Sequence, residues 1–255
     1  MPLLNKPALA PLLCYVTDRR SLAAVESIEA HKILLQKIGV AAAAGVDCIQ
    51  IREKDLPGKE CTLLTREAVR LVSHTGGDET GLSEKSADKM LPPGTAPSVR
   101  ETARARIHAR ILVNDRLDVA LATQADGVHL GEQSLQPEEA RRLVKSLRRQ
   151  DFLIGVSCHS LEAAKAAERG GADYLFFGPV FATPSKAAYG APQGLARLAD
   201  VCRAIALPVL AIGGITMENA AACFSAGASG IAAIRLFQDT PDMASLVQGL
   251  RRIPV

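Results

Sequence analysis

The sequence predicts an α/β chain built as a single (β/α)8 TIM barrel, and three observations carry that reading. Eight short apolar runs each stop at polar or glycine-containing residues, and each is followed by a helix or a helix-length segment. The phrase Ala44-Gly45-Val46-Asp47 returns as Gly170-Gly171-Ala172-Asp173 and as Ala226-Gly227-Ala228-Ser229. Each copy ends a helix just before an apolar strand, so the α-to-β joint itself repeats. The 255 residues match one such barrel, for which about 250 is typical. Parallel strands joined by right-handed crossovers close economically in this way. A doubly wound open sheet is the alternative, but the Gly-x-Gly-x-x-Gly turn expected after its first strand is missing.

The first run, Leu12-Leu13-Cys14-Tyr15-Val16-Thr17-Asp18, is a strand closing on polar residues. Apolar Ile33, Leu34, Ile38 and Val40 predict a helix over Ser27–Ala44, which Gly45 stops. The second strand, Asp47 to Lys54, alternates: Gln50, Arg52 and Lys54 share one face, Ile49 and Ile51 the other. In a barrel the even set points inward near the C-terminal mouth, whereas an edge strand with a wet face is the plain alternative. Polar residues on one face of a strand between helices call for internal partners, because unpaired buried charge is costly.

Leu63–Val72 continues as a helix. Ser73 to Pro97 has few apolar residues and is too long for an ordinary connection. The expected organisation is therefore one domain over residues 1–255 with an exposed, mobile insertion at about 73–97.

Ile111-Leu112-Val113-Asn114-Asp115 is a strand ending in an amide and a carboxylate, and a short helix over Leu117–Thr123 leads to Gly127-Val128-His129-Leu130-Gly131. Pro137 opens a helix whose first turn carries Glu138 and Glu139, complementing its dipole. Phe152–His159 is the fifth strand, and Ser160-Leu161-Glu162 starts the next helix. Ser157 suits an anion or, equally, a helix start. A helix near Leu195–Ala204 leads to Pro208–Ile215, where Gly213 and Gly214 allow close backbone approach to a ligand. The last strand, Gly230–Arg235, precedes a helix around Met243–Arg251.

Composition narrows the function. Apolar residues are 48% and charged residues 22%, which supplies a core and excludes bulk disorder. The net charge is only +3, with scattered Lys and Arg, few aromatics and no Trp, so no nucleic-acid groove is expected. Cys14, Cys48, Cys61, Cys158, Cys202 and Cys223 show no CxxC spacing and read as core hydrophobes in a reducing compartment. Met1–Pro11 is short, carries one Lys and has too little apolar length for a signal peptide, and no unbroken apolar window reaches membrane length. The expectation is a cytoplasmic protein with no membrane contact.

The stretch from Phe176 to Lys186 carries most of the chemistry. An apolar run stops at Gly178-Pro179, and Thr183-Pro184-Ser185-Lys186 then gathers two hydroxyls and an ammonium suited to an oxyanion. Alone, that tetrapeptide is equally an ordinary loop with a solvated lysine. Charged or hydroxyl residues at four other strand ends favour a phosphate site.

Together these motifs resemble the thiamine phosphate synthase family, including its thiazole-tautomerase-like branch, over roughly residues 12–238 apart from the insertion. They are Gln50-Ile51-Arg52-Glu53-Lys54, Val113-Asn114-Asp115, Gly155-Val156-Ser157, Gly178-Pro179 with Thr183–Lys186, and Ala211-Ile212-Gly213-Gly214-Ile215. The resemblance implies joining of 4-amino-2-methyl-5-hydroxymethylpyrimidine diphosphate to a thiazole phosphate, with Mg²⁺, giving thiamine phosphate and pyrophosphate. It implies that Gln50, Arg52, Lys54, Asn114, Ser157 and Lys186 hold the pyrimidine diphosphate, with Arg52, Lys54, Ser157 and Lys186 catalytic. Thr183, Pro184, Ser185, Gly214, Ile234 and Arg235 would line the thiazole-phosphate pocket, and Asp115 would bind Mg²⁺. The chain departs from the family after His129-Leu130-Gly131, where Ser134 stands in place of a second metal-binding Asp, leaving Glu132 or Ser134 to complete the site. The tautomerase-like branch also tends to lose that acid. A tautomerase, or a non-catalytic barrel sensing thiamine-related phosphates, is the alternative function. Oligomeric state stays open, with a homo-oligomer among the possibilities.

Overall fold

The protein is described by a computed structural model over residues 10–22, 27–74, 109–183 and 191–255. Eight parallel strands close on themselves in chain order: β1 (Leu12–Val16), β2 (Cys48–Ile51), β3 (Arg110–Asn114), β4 (Gly127–Leu130), β5 (Leu153–Cys158), β6 (Tyr174–Phe177), β7 (Val209–Ile212) and β8 (Gly230–Ala233). Between them run α1 (Ser27–Ala44), α2 (Gly58–His74), α3 (Leu117–Ala122), α4 (Pro137–Ser146), α5 (Leu161–Arg169), α6 (Gly194–Ala204) and α7 (Met217–Ser225). After β8 come α8 (Arg235–Gln238) and α9 (Met243–Arg251). No described helix is long and apolar enough to cross a membrane.

Alternation divides the strands into two cores. One face of each strand packs against the helices, including Leu13, Ile49, Ile111, Val128, Ile154, Leu175 and Ile231. The other face fills the lumen with Leu12, Cys14, Cys48, Leu112, Leu153, Tyr174, Phe176, Leu210 and Ala232. Two large rings fit there because their inward neighbours are small. A Cβ on Gly155 would lie 2.0 Å from Tyr174 Cζ.

The repeated joint has a physical basis. Gly45, Gly171 and Gly227 adopt φ of 92°, 84° and 93°, the left-handed turn that ends a helix and that glycine enters without steric cost. The carboxylate that follows ties two strands together: Asp47 Oδ2 accepts from Leu13 N and Asp173 Oδ2 from Ile154 N. Arg251 and Arg141 from the outer helices then pair with these acids.

Some boundaries differ from expectation. β2 ends at Ile51, so Arg52, Glu53 and Lys54 lie in the following loop and not on the strand. α2 begins at Gly58, before Leu63, and ends with Ser73 and His74. The remainder of the expected insertion, 75–97, lies outside the described residues.

Candidate active site

The C-terminal ends of the strands gather polar side chains into several hydrogen-bonded sets. Gln50, inward on β2 and buried, donates from Nε2 to Asn114 Oδ1 on β3 at 2.7 Å, while its Oε1 is buried without a partner among the described residues. Asn114 Nδ2 donates to Asp115 Oδ2 at 2.6 Å. Asp115 leaves the strand at φ 60°, and its Oδ1 accepts from Gly131 N at 3.0 Å and from the Ser134 hydroxyl. Three neutral donors thus orient this carboxylate, and no described cation pairs with it.

On β4 and β5, His129 is buried in the lumen, with Nδ1 3.0 Å from Tyr174 Oη and Nε2 2.9 Å from Ser157 Oγ. Burial pushes its pKa down to about 3, with Asp115 opposing and Arg52 adding to the shift, so the ring is neutral. Ser157 is half-buried, one residue before the end of β5.

The loop after β2 is anchored from within. Arg52 N donates to Thr17 Oγ1 at 3.0 Å, and Thr17 Oγ1 donates to Glu53 Oε1 at 2.6 Å. Glu53 also accepts from Arg19 N, with Arg19 Nε at 3.8 Å. Among the described residues the cationic partner of Glu53 is therefore Arg19. Arg52 is half-buried and Lys54 exposed beside it.

The loops after β6 and β7 fasten to each other. Val180 N and Phe181 N donate to Ile212 O and Gly213 O. A Cβ on Gly213 would lie 2.5 Å from Pro179 Cβ, and one on Gly214 would lie 2.6 Å from Ala182 O. The close approach that these glycines permit is thus to the neighbouring loop. Thr183 in the loop after β6 is half-buried, Ile234 reaches the lumen cluster, and exposed Arg235 opens α8. Pro184, Ser185 and Lys186 lie outside the described residues.

The structure links Gln50, Asn114, Asp115 and Ser134 in one hydrogen-bonded set and Ser157 to His129 and Tyr174 in another; sequence reasoning passed over Thr17, His129 and Tyr174. A usable signal existed for His129, since it is the single polar side chain on the face opposite Val128 and Leu130. Among the described residues no group of three or more His, Cys, Asp or Glu forms a ready metal cage. One oriented carboxylate nevertheless fits Mg²⁺, which commonly keeps waters and takes one or two carboxylates plus substrate phosphates.

The thiamine-phosphate synthase of Chlorobium phaeobacteroides is 38% identical over 233 residues, covering 91% of this chain and 90% of that protein. A family model described as thiamine monophosphate synthase matches residues 82–237, more than half of the chain. The chain belongs to the thiamine monophosphate synthase family. Another relative named thiamine-phosphate synthase, from Methanocella arvoryzae, is 46% identical over 187 residues, covering 73% of this chain and 86% of that one. The solved thiamine phosphate pyrophosphorylase of Pyrococcus furiosus superposes with a TM-score of 0.70 at 29% identity, covering 97% of both chains. As a member of the thiamine monophosphate synthase family, this chain is an enzyme of the transferase class.

Proposed function

We propose that this chain joins 4-amino-2-methyl-5-hydroxymethylpyrimidine diphosphate to a thiazole phosphate, releasing pyrophosphate and forming thiamine phosphate. The observation that carries the reading is the linked set Gln50–Asn114–Asp115, with the orphaned Gln50 Oε1 buried at its inner end. A buried acceptor without a partner calls for a donor, and the amino group of a pyrimidine supplies one. The diphosphate then extends toward Ser157 and the cations Arg52, Lys54 and Lys186. The thiazole phosphate takes the loops after β6, β7 and β8, at Thr183–Ser185, Gly214, Ile234 and Arg235, where barrels often bind phosphate.

The bond between the pyrimidine methylene carbon and the diphosphate oxygen breaks, and its electron pair leaves with pyrophosphate. The pyrimidine ring stabilises the cation left behind, and the thiazole nitrogen lone pair forms the new C–N bond. That nitrogen has no proton to lose, so no general base is required. The protein's task is to hold two substrates and to stabilise charge on the leaving group. Arg52, Lys54 and Lys186 place positive charge at that oxygen, and Ser157 donates a hydrogen bond. Asp115, with Glu132 or Ser134, would hold Mg²⁺, which when bound would supply further charge neutralisation there.

A coupled assay with both substrates, with and without Mg²⁺, tests the reading. Thiamine phosphate and pyrophosphate should appear in equal amounts only when both substrates and the metal are present. Metal-independent isomerisation of a thiazole carboxylate phosphate alone, unaffected by Asp115→Ala, would replace synthase by tautomerase. Binding of both substrates with no turnover would indicate a sensor.

A further inference from the structure

Tyr174, His129 and Ser157 form a hydrogen-bonded chain running from the lumen to the mouth. Its two inner members are buried, and Ser157 is only half-buried. A neutral imidazole offers one N–H and one lone pair, so the chain can run in either of two directions. With the proton on Nδ1, the ring donates to Tyr174, and the phenol hydrogen must find another acceptor. His129 is the only hydrogen-bond partner of Tyr174 Oη among the described residues. That direction therefore strands a buried donor at the cost of its desolvation. With the proton on Nε2, the phenol donates to Nδ1, Nε2–H donates to Ser157 Oγ, and every buried hydrogen is used. The surroundings suit a neutral ring, since Phe176 packs against it with centroids 4.1 Å apart.

The direction matters at the outer end. If Ser157 spent its hydrogen on His129, it would present only lone pairs to the mouth, and these repel an anion. We infer that Tyr174 and His129 are positioning residues for Ser157. They engage its oxygen from the buried side, so that its O–H is turned outward as a donor to an oxyanion. The inference rests on the proposed function for the identity of that anion, the departing diphosphate, but not for the direction of the chain. Each hydrogen bond polarises the next, which strengthens the terminal donor.

The test uses the full chain labelled with ¹⁵N-histidine, together with calorimetric titration by inorganic pyrophosphate in the presence of Mg²⁺. Long-range ¹H–¹⁵N spectra of the wild type should show His129 protonated at Nε2. His129→Asn removes the donor to Ser157 and should weaken pyrophosphate binding about tenfold, or about 1.4 kcal/mol. His129→Gln can carry an amide donor to that position and should recover affinity to within about threefold of wild type. In a Ser157→Ala background, His129→Asn should cause no further loss. Protonation at Nδ1 overturns the inference without any variant having to fold. Equal losses from His129→Asn with and without Ser157, or no recovery in His129→Gln, overturn it too. A wild type that binds no pyrophosphate overturns the proposed function and the diphosphate role of Ser157 with it, whereas failure of the other arms in a protein that does bind it defeats this inference alone.

Discussion

Glu53 stands between two of the cations assigned to the diphosphate, yet its side chain turns inward and is 1% exposed. It accepts from Thr17 Oγ1 at 2.6 Å and from Arg19 N at 3.0 Å, and Thr17 Oγ1 accepts in turn from Arg52 N. Glu53→Ala leaves the fully buried Thr17 hydroxyl and the Arg19 N–H without their acceptor. Each orphaned donor costs about 1–3 kcal/mol, and the Arg19 N–H, being only part-buried, falls at the low end. The expected loss is about 2–4 kcal/mol, or a fall in Tm of roughly 5–15 °C for a chain of this size. Glu53→Gln keeps an acceptor for both donors and should lose less than half as much.

The same carboxylate sets a pH dependence. Burial raises the Glu53 pKa above its ordinary value, against the opposing hydrogen bonds from Thr17 and Arg19. The folded pKa thus lies above the unfolded one. The contribution of this group to stability is fully present below the unfolded value and is lost as pH rises through the folded value. Urea unfolding followed by circular dichroism at pH 7 and pH 5, at about those round values, should show the wild type gaining on Glu53→Gln upon acidification. An unchanged midpoint for Glu53→Ala, or a wild type that loses ground to Glu53→Gln at the lower pH, would refute the reasoning.

Three further predictions address the mouth and the lumen. Arg52→Ala and Lys186→Ala should each lower kcat/KM at least about a hundredfold, the scale of a lost preorganised charge. Arg52→Ala should leave the unfolding midpoint close to wild type, because its side chain makes no described ion pair; near wild-type rates for both variants would remove the diphosphate reading. In a titration of rate against Mg²⁺, Ser134→Asp should shift half-activation to lower metal, and Asp115→Ala should nearly abolish turnover while thiazole-phosphate binding persists. Weakened metal activation in Glu132→Gln, with little help from Ser134→Asp, would assign the second ligand to Glu132. Gly155→Ala places a Cβ 2.0 Å from Tyr174 Cζ and 2.6 Å from His129 Nδ1, so overpacking should cost about 1–3 kcal/mol or more. A wild-type midpoint for that variant would show that the lumen yields to the extra carbon.

What the sequence by itself determined was local. The turn glycines Gly45, Gly171 and Gly227, Pro137 at a helix start, and the bounds of α1 and α9 follow from φ preference and the 3.6-residue period, which neighbouring residues express directly. The strand period of two likewise turned Gln50 inward. Even local rules had exceptions: the joint before β4 uses Gln124 at φ 58° in place of glycine, so the role of Asp126 in bonding Ile111 N was not legible. Tertiary structure alone decided where β2 stops. Its ladder to β3 ends with Ile51, and that sends Glu53 inward to Thr17 and Arg19 while Lys54 stays in solvent. Closure and stagger of the barrel also decided that His129 meets Tyr174, 45 residues away, and Ser157, 28 away, across a lumen opened by Gly155. Periodicity assigns a side chain to a face, but only the register between strands assigns it a partner.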